Sequence, residues 1–212
     1  HGEMGMAHGG MRQKMFNAYD ETINVPLIVS NPVLFPEPAS SQAPVSLCDL
    51  LPSFASMAGI DTDGDGIKGM DLTPILADAA NPAKGSLGDC PVDLSPIADH
   101  DSPVSKVQDE VLFTFDDHQS GSAFRNVAPQ PNRIRAVRSP KAMFAVYMDE
   151  TGEKDPQFEL YDMERDPNQM DNLVDRDTGG AIAAGDFPLL EQMRSALRRR
   201  SRRAGADLPP GF

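Results

Sequence analysis

Cysteine is scarce in this chain. Cys48 and Cys90 stand far apart, and neither has a second cysteine at metal-ligand spacing. A cysteine-built metal site is excluded, while a disulfide between the two stays open. Positive charge is also in short supply: 19 Lys and Arg face 32 Asp and Glu, for a net charge of −13. That balance excludes a general nucleic-acid binder. It leaves room for an anionic substrate, because one local cation and a metal ion can dominate a cleft. Long apolar runs are missing too, and nothing approaches the roughly 20 residues that span a bilayer. The opening residues carry no basic-then-apolar leader pattern, and the compartment stays open.

What is present describes an ordinary globular protein. The 212 residues are 40% hydrophobic and 24% charged, enough for a real core in one large domain or two small ones. The arginines gather near the end, at Arg194, Arg198, Arg199, Arg200, Arg202 and Arg203. They read as a solvated helix face or a patch for an acidic partner.

Periodicity divides the chain. The all-apolar run Val25-Pro26-Leu27-Ile28-Val29 predicts a strand covered on both faces, as in a parallel sheet. Residues 46–60 predict a helix, with Leu47, Leu50, Leu51, Phe54, Ala55 and Met57 at helical spacing, Asp49 as N-cap, Pro52 in the first turn and Gly59 at the end. Cys48 falls in this pattern as a small buried hydrophobe. Residues 77–108 are rich in Asp, Pro, Ser and Gly and read as an irregular surface excursion. From Val111 the pattern turns to short strands over 111–115, 133–138, 142–147 and 158–162. Ser139-Pro140-Lys141 makes a hairpin of the middle two. A last helix follows Pro188, with Leu189, Leu190, Met193 and Leu197 on one stripe. Four strands and a helix predict a small antiparallel sheet with the helix on one face.

Several residues invite chemistry. The opening segment holds His1, His8 and Lys14 among glycines and methionines. Glycine-rich loops let a backbone approach a ligand closely, an imidazole can bind a metal, and an ammonium can meet an oxyanion. Asp61-Thr62-Asp63-Gly64-Asp65-Gly66 resembles the start of a calcium loop, but its twelfth position is Leu72 instead of a bidentate Glu. It is a plain turn or a weak calcium site. His100 sits between Asp99 and Asp101, and His118 follows Asp116-Asp117 in a polar loop. Each is a solvated loop histidine or a ligand to something.

Three blocks carry a family resemblance. His1-Gly2-Glu3-Met4-Gly5 with His8-Gly9, Lys14, Tyr19-Asp20-Glu21 and Val25-Pro26-Leu27 resembles a C-terminal segment of type I sulfatases. So do Asp49-Leu50-Leu51-Pro52-Ser53-Phe54 with Met57-Ala58-Gly59, and Glu159-Leu160-Tyr161-Asp162 followed by Asp166-Pro167 and Asn172-Leu173. The resemblance implies the C-terminal part of an alkaline-phosphatase-like α/β sulfatase fold. Residues 1–108 would belong to the main α/β domain, with the excursion at 77–108. Residues 109–212 would form an antiparallel subdomain with the final helix.

The resemblance also implies a reaction: hydrolysis of a sulfate ester on a small molecule or saccharide, by a formylglycine and a divalent cation. Ca²⁺ suits an oxygen-rich site first, with Mg²⁺ or Mn²⁺ as alternatives. His1 would be a metal ligand. Lys14 would contact a sulfate oxygen and act in catalysis and substrate binding. His8 would line the pocket or give a proton to the leaving group. His118 would reach the substrate and set specificity. The Cys-x-Pro-x-Arg motif that supplies formylglycine is not here, and neither is the aspartate expected before His1. The chain therefore reads as a fragment lacking an N-terminal half and inactive alone. Two other readings stay open: a phosphodiesterase or phosphonate monoester hydrolase of the same superfamily, and a non-enzymatic acidic calcium-binding module.

Overall fold

The computed structural model describes residues 1–12, 16–32, 35, 38–62, 66–80, 106–117, 132–149 and 152–212. The chain divides into two compact units. One is Leu27–Val111; the other joins His1–Pro26 to Leu112–Phe212. The opening segment thus folds with the C-terminal sheet, although some 85 residues separate them in the chain.

The Leu27–Val111 unit contains helices α1 (Leu50–Met57) and α2 (Thr73–Ala80). A tight turn over Leu47–Asp49 leads into α1, and Ser46 caps that turn: Cys48 N–H donates to its hydroxyl at 3.4 Å, and its own N–H donates to Asp49 Oδ2 at 2.7 Å. Asp49 is the N-cap of α1 by position, as expected, but its side chain makes no capping bond to the helix; the side-chain cap is that of Ser46 on the preceding turn. The buried Asp49 carboxylate instead accepts from the Met70 N–H at 2.7 Å and the Gln108 amide at 2.8 Å. Ser53 accepts the Leu72 N–H at 2.8 Å. Gly69 is forced by a close approach, since a Cβ there would lie 2.0 Å from the Cys48 carbonyl oxygen.

Two expectations for this unit fail. Because Asp49 and Ser53 take part of the inner side, only Leu50, Ala55 and Met57 of the apolar pattern are half-buried; Leu51 and Phe54 of α1 are exposed, as are Leu47 and Cys48 in the turn before it. The run over 25–29 forms no strand, and Ile28 is 85% exposed. An apolar run becomes a buried strand only where a neighbouring strand takes its backbone groups, and the described residues offer it none. Of the segment read as an excursion, 77–80 continue α2; Cys90 and His100 lie outside the described residues.

The second unit is a four-stranded sheet in the order β1 (Val111–Asp116), β2 (Arg133–Arg138), β3 (Ala142–Met148), β4 (Gln157–Asp162). The β2–β3 and β3–β4 pairs are antiparallel, with Ala136 opposite Ala145 and Phe144 opposite Leu160. The expected hairpin closes at Ser139, whose N–H donates to the Ala142 carbonyl at 2.9 Å. Side chains alternate with period two. Val137, Phe144, Val146, Phe158 and Leu160 meet Leu190, Met193, Ala196 and Leu197 of helix α3 (Phe187–Ala204). Ile134, Ala136, Met143, Ala145, Tyr147 and Tyr161 meet Ala18, with Tyr19, Phe113 and Phe115 packed beside them. Every residue of β3 is buried, because both sheet faces are covered. Helix α3 starts with Pro188 in its first turn and ends on Gly205 in the left-handed conformation, after Arg202 and Arg203. Among the described residues, no helix is long and apolar enough to cross a membrane.

Candidate functional site

The site grows from the turn 17–22. Asn17 shapes it: its Oδ1 accepts the Thr22 hydroxyl at 2.6 Å and the Tyr19 N–H at 3.3 Å, and a single helical turn, Asp20–Ile23, follows. The turn is pinned to the sheet unit residue by residue. Ala18 N–H donates to the Tyr147 hydroxyl at 3.3 Å. Asp20 N–H donates to Gln169 Oε1 at 2.6 Å. The Asp20 carboxylate takes a two-point grip from Arg138, both bonds 2.8 Å, the geometry in which an arginine fork binds a carboxylate most strongly. The N-terminal residues lie on the same turn. Gly2 N–H donates to the Thr22 carbonyl at 2.9 Å, and a Cβ on Gly2 would lie 2.1 Å from the Glu21 carbonyl oxygen.

His8 is the centre of this arrangement. Its Nε2 lies 3.2 Å from Glu21 Oε2. Its ring stacks on Tyr19, centroids 3.8 Å apart and planes 13° from parallel. The imidazole is only 8% exposed. The backbone bends sharply to deliver it, with positive φ at Gly5, Met6, His8, Gly9 and Gly10. For Met6 and His8 that conformation costs on the order of 1 kcal/mol each.

Behind Tyr19 lies a buried carboxylate. Glu159 on β4 accepts the Tyr147 hydroxyl at 2.6 Å on one oxygen and the Tyr19 hydroxyl at 3.4 Å on the other. Burial pushes the Glu159 carboxyl above its ordinary range; the Tyr147 hydroxyl, the charge of Arg176, the Tyr19 hydroxyl and His8 pull the other way. Burial, and then the nearby Glu159 charge, push Tyr147 well above the usual phenol value and raise Tyr19 and Tyr161 too. All three stay protonated donors at neutral pH.

Of the residues singled out in the sequence, the structure brings His8 and the neighbour of His1 to one turn. The His1 ring itself is exposed, with Nδ1 3.1 Å from the Gly2 carbonyl oxygen. Lys14 and His118 lie outside the described residues, as do Asp63 and Asp65 of the calcium-like loop. No group of three or more His, Cys, Asp or Glu among the described residues could hold a metal ion. Sequence reasoning missed Glu21 as the partner of His8, and Glu159 with its tyrosines. A signal existed for the latter: β4 alternates, so Glu159 and Tyr161 share a face between the apolar Phe158 and Leu160.

This architecture is shared with sulfatases. The chain aligns with a 2-O GAG sulfatase at a TM-score of 0.59 and 22% identity, over 92% of this chain and 33% of that one. A candidate sulfatase from Bacteroides thetaiotaomicron gives a TM-score of 0.59 at 21% identity, over 95% and 36%. At such identities the likeness shows the fold: part of a sulfatase α/β fold, carrying a four-stranded sheet and a C-terminal helix. No family model matches the chain. In sequence it is similar to the Delta 4,5-hexuronate-2-O-sulfatase of Bacteroides thetaiotaomicron, 28% identical over 211 residues. That match covers 98% of this chain and 36% of the relative, so the chain spans about a third of the relative's length.

Proposed function

We propose that this chain is part of a sulfuric ester hydrolase acting on a sulfated saccharide. The observation that carries the reading is the His8–Glu21 pair at 3.2 Å. An imidazole oriented by a carboxylate is an arrangement that moves protons in general acid–base catalysis. In this reading His8 gives a proton to the departing sugar oxygen. Lys14 and His118 belong to the reading as well, Lys14 against a sulfate oxygen and His118 toward the saccharide. The similarity to a hexuronate-2-O-sulfatase over 98% of the chain supports a 2-O-sulfated uronate as the first substrate to try.

A divalent cation, Ca²⁺ before Mg²⁺ or Mn²⁺, would polarise the sulfate. His1 offers it one imidazole, but the described residues hold no three-ligand group. They do not by themselves fit the ion, and no step is derived through it. The formylglycine would likewise come from sequence outside this chain.

The test is sulfate release from an unsaturated 2-O-sulfated hexuronate disaccharide and from a chromogenic aryl sulfate. The chain alone gives no turnover. Joined to a formylglycine-bearing segment of sulfatase length it releases sulfate, and His8→Asn lowers that rate by about 10²–10⁴-fold. Cleavage of a phosphonate monoester or phosphodiester in place of the sulfates would sink the sulfatase reading.

A further inference from the structure

All three tyrosines of the chain, Tyr19, Tyr147 and Tyr161, gather around one buried carboxylate. Glu159 and Tyr147 are each 5% exposed and Tyr161 is 4% exposed. Burying a carboxylate at a sheet position is costly, and an apolar residue of that size would pack there without the cost. The arrangement of its bonds suggests what the charge accomplishes.

We infer that Glu159 is a positioning residue for the His8 imidazole, acting through the two tyrosine hydroxyls that its carboxylate holds. The first arm runs through Tyr147. A tyrosine hydroxyl has one hydrogen and two lone pairs. With the hydrogen committed to Glu159 Oε2, the oxygen is turned to accept the Ala18 N–H. The second arm runs through Tyr19, whose hydroxyl donates to Glu159 Oε1 and whose ring is the platform under His8. Ala18 and Tyr19 are consecutive, and Glu21, which holds His8 Nε2, comes two residues later. One carboxylate thus fixes both the backbone and the ring on which the imidazole rests. The inference deepens the proposed function, resting on that reading for what His8 does but not for how His8 is held.

The experiment uses the 212-residue chain and needs no turnover. Proton NMR reads the His8 ring signals, assigned by their loss in His8→Asn. Stacking on Tyr19 displaces them upfield, and Tyr19→Leu gives the unstacked reference. Glu159→Gln offers one acceptor oxygen in place of two, so whichever way the amide turns one hydroxyl meets an N–H and is no longer oriented by donating to residue 159. The expected result is loss of the His8 displacement or faster exchange of the Ala18 amide, while the Phe144, Val146 and Leu160 amides keep their protection. A variant with both His8 shift and Ala18 exchange as in wild type overturns the inference. If Glu159→Gln fails to fold, Tyr19→Phe compared with Tyr161→Phe decides: Tyr19→Phe keeps the ring and deletes the hydroxyl's bonds to both Glu159 and Tyr161, while Tyr161→Phe removes the second bond and spares the first. A His8 displacement smaller in Tyr19→Phe than in Tyr161→Phe supports positioning, and one no smaller overturns it. Failure here leaves the sulfatase reading to its own assay, and failure of that assay leaves the positioning intact.

Discussion

The two faces of the sheet are covered by different means. Helix α3 covers one face mainly with Leu190, Met193 and Leu197 against Phe144, Val146 and Leu160. Arg135, on that side, is satisfied by the Asp207 carbonyl and by Asp116. The opening segment covers the other face with Ala18 and Tyr19, but its attachment is written in hydrogen bonds to Tyr147, Glu159, Gln169 and Arg138. Apolar packing is non-directional, so it stabilises without fixing where one side chain points. A bonded network is directional. The helix face supports the fold; the other face orients His8.

The sharpest way to break this contrast is to cut each face separately. Phe144 and Leu197 are fully buried on the helix side. Phe144→Ala should cost about 3–5 kcal/mol and Leu197→Ala about 2–5 kcal/mol, measured by denaturant unfolding. Neither should alter the stacking of His8 in variants that stay folded. On the other face, Arg138→Ala removes both bonds to Asp20, whose side chain is 20% exposed. The expected loss is about 1.5–3 kcal/mol, with faster exchange concentrated at residues 18–22. Equal effects of both cuts on the opening segment would erase the distinction.

The helix-covered face was largely legible in the sequence, and the other face was not. Strict alternation over 133–138, the Ser139-Pro140-Lys141 turn and the Leu190–Met193–Leu197 stripe are local signals, each complete within a few residues. The cover of the second face pairs Ala18 with Tyr147 and Tyr19 with Glu159, 129 and 140 positions apart, and no local period encodes that. Resemblance to a family gave roles to His1 and His8, while Glu21 and Glu159 stood in the resembling blocks with no role assigned at His8. The run over 25–29 misled for a related reason: an apolar run states that burial is wanted, not what supplies it.

The buried carboxylate gives the second face a pH dependence of its own. The folded Glu159 carboxyl is raised above its unfolded value, so the folded state holds the proton more tightly. Its contribution is fully present below the unfolded value and is lost as pH rises through the raised one. Stability measured from the ordinary carboxylate range upward should therefore fall by a component that Glu159→Gln removes. A wild-type curve matching the Glu159→Gln curve over that window contradicts the shift.

The smallest expected effect lies in the other unit. Leu51 and Phe54 are 62% and 61% exposed on α1, while Asp49 and Ser53 on its inner side hold Met70 and Leu72. The outward side of α1 is apolar, and on its inner side those polar bonds stand beside the buried Pro52 and the half-buried Leu50, Ala55 and Met57. Leu51→Gln and Phe54→Gln should each stay within about 0.5 kcal/mol of wild type. Ser53→Ala strips a buried N–H of its acceptor and should cost about 1–3 kcal/mol. The order of these two effects is the test. If Phe54→Gln cost more than Ser53→Ala, the outward stripe would be covered in solution, and α1 would obey the rule that governs α3.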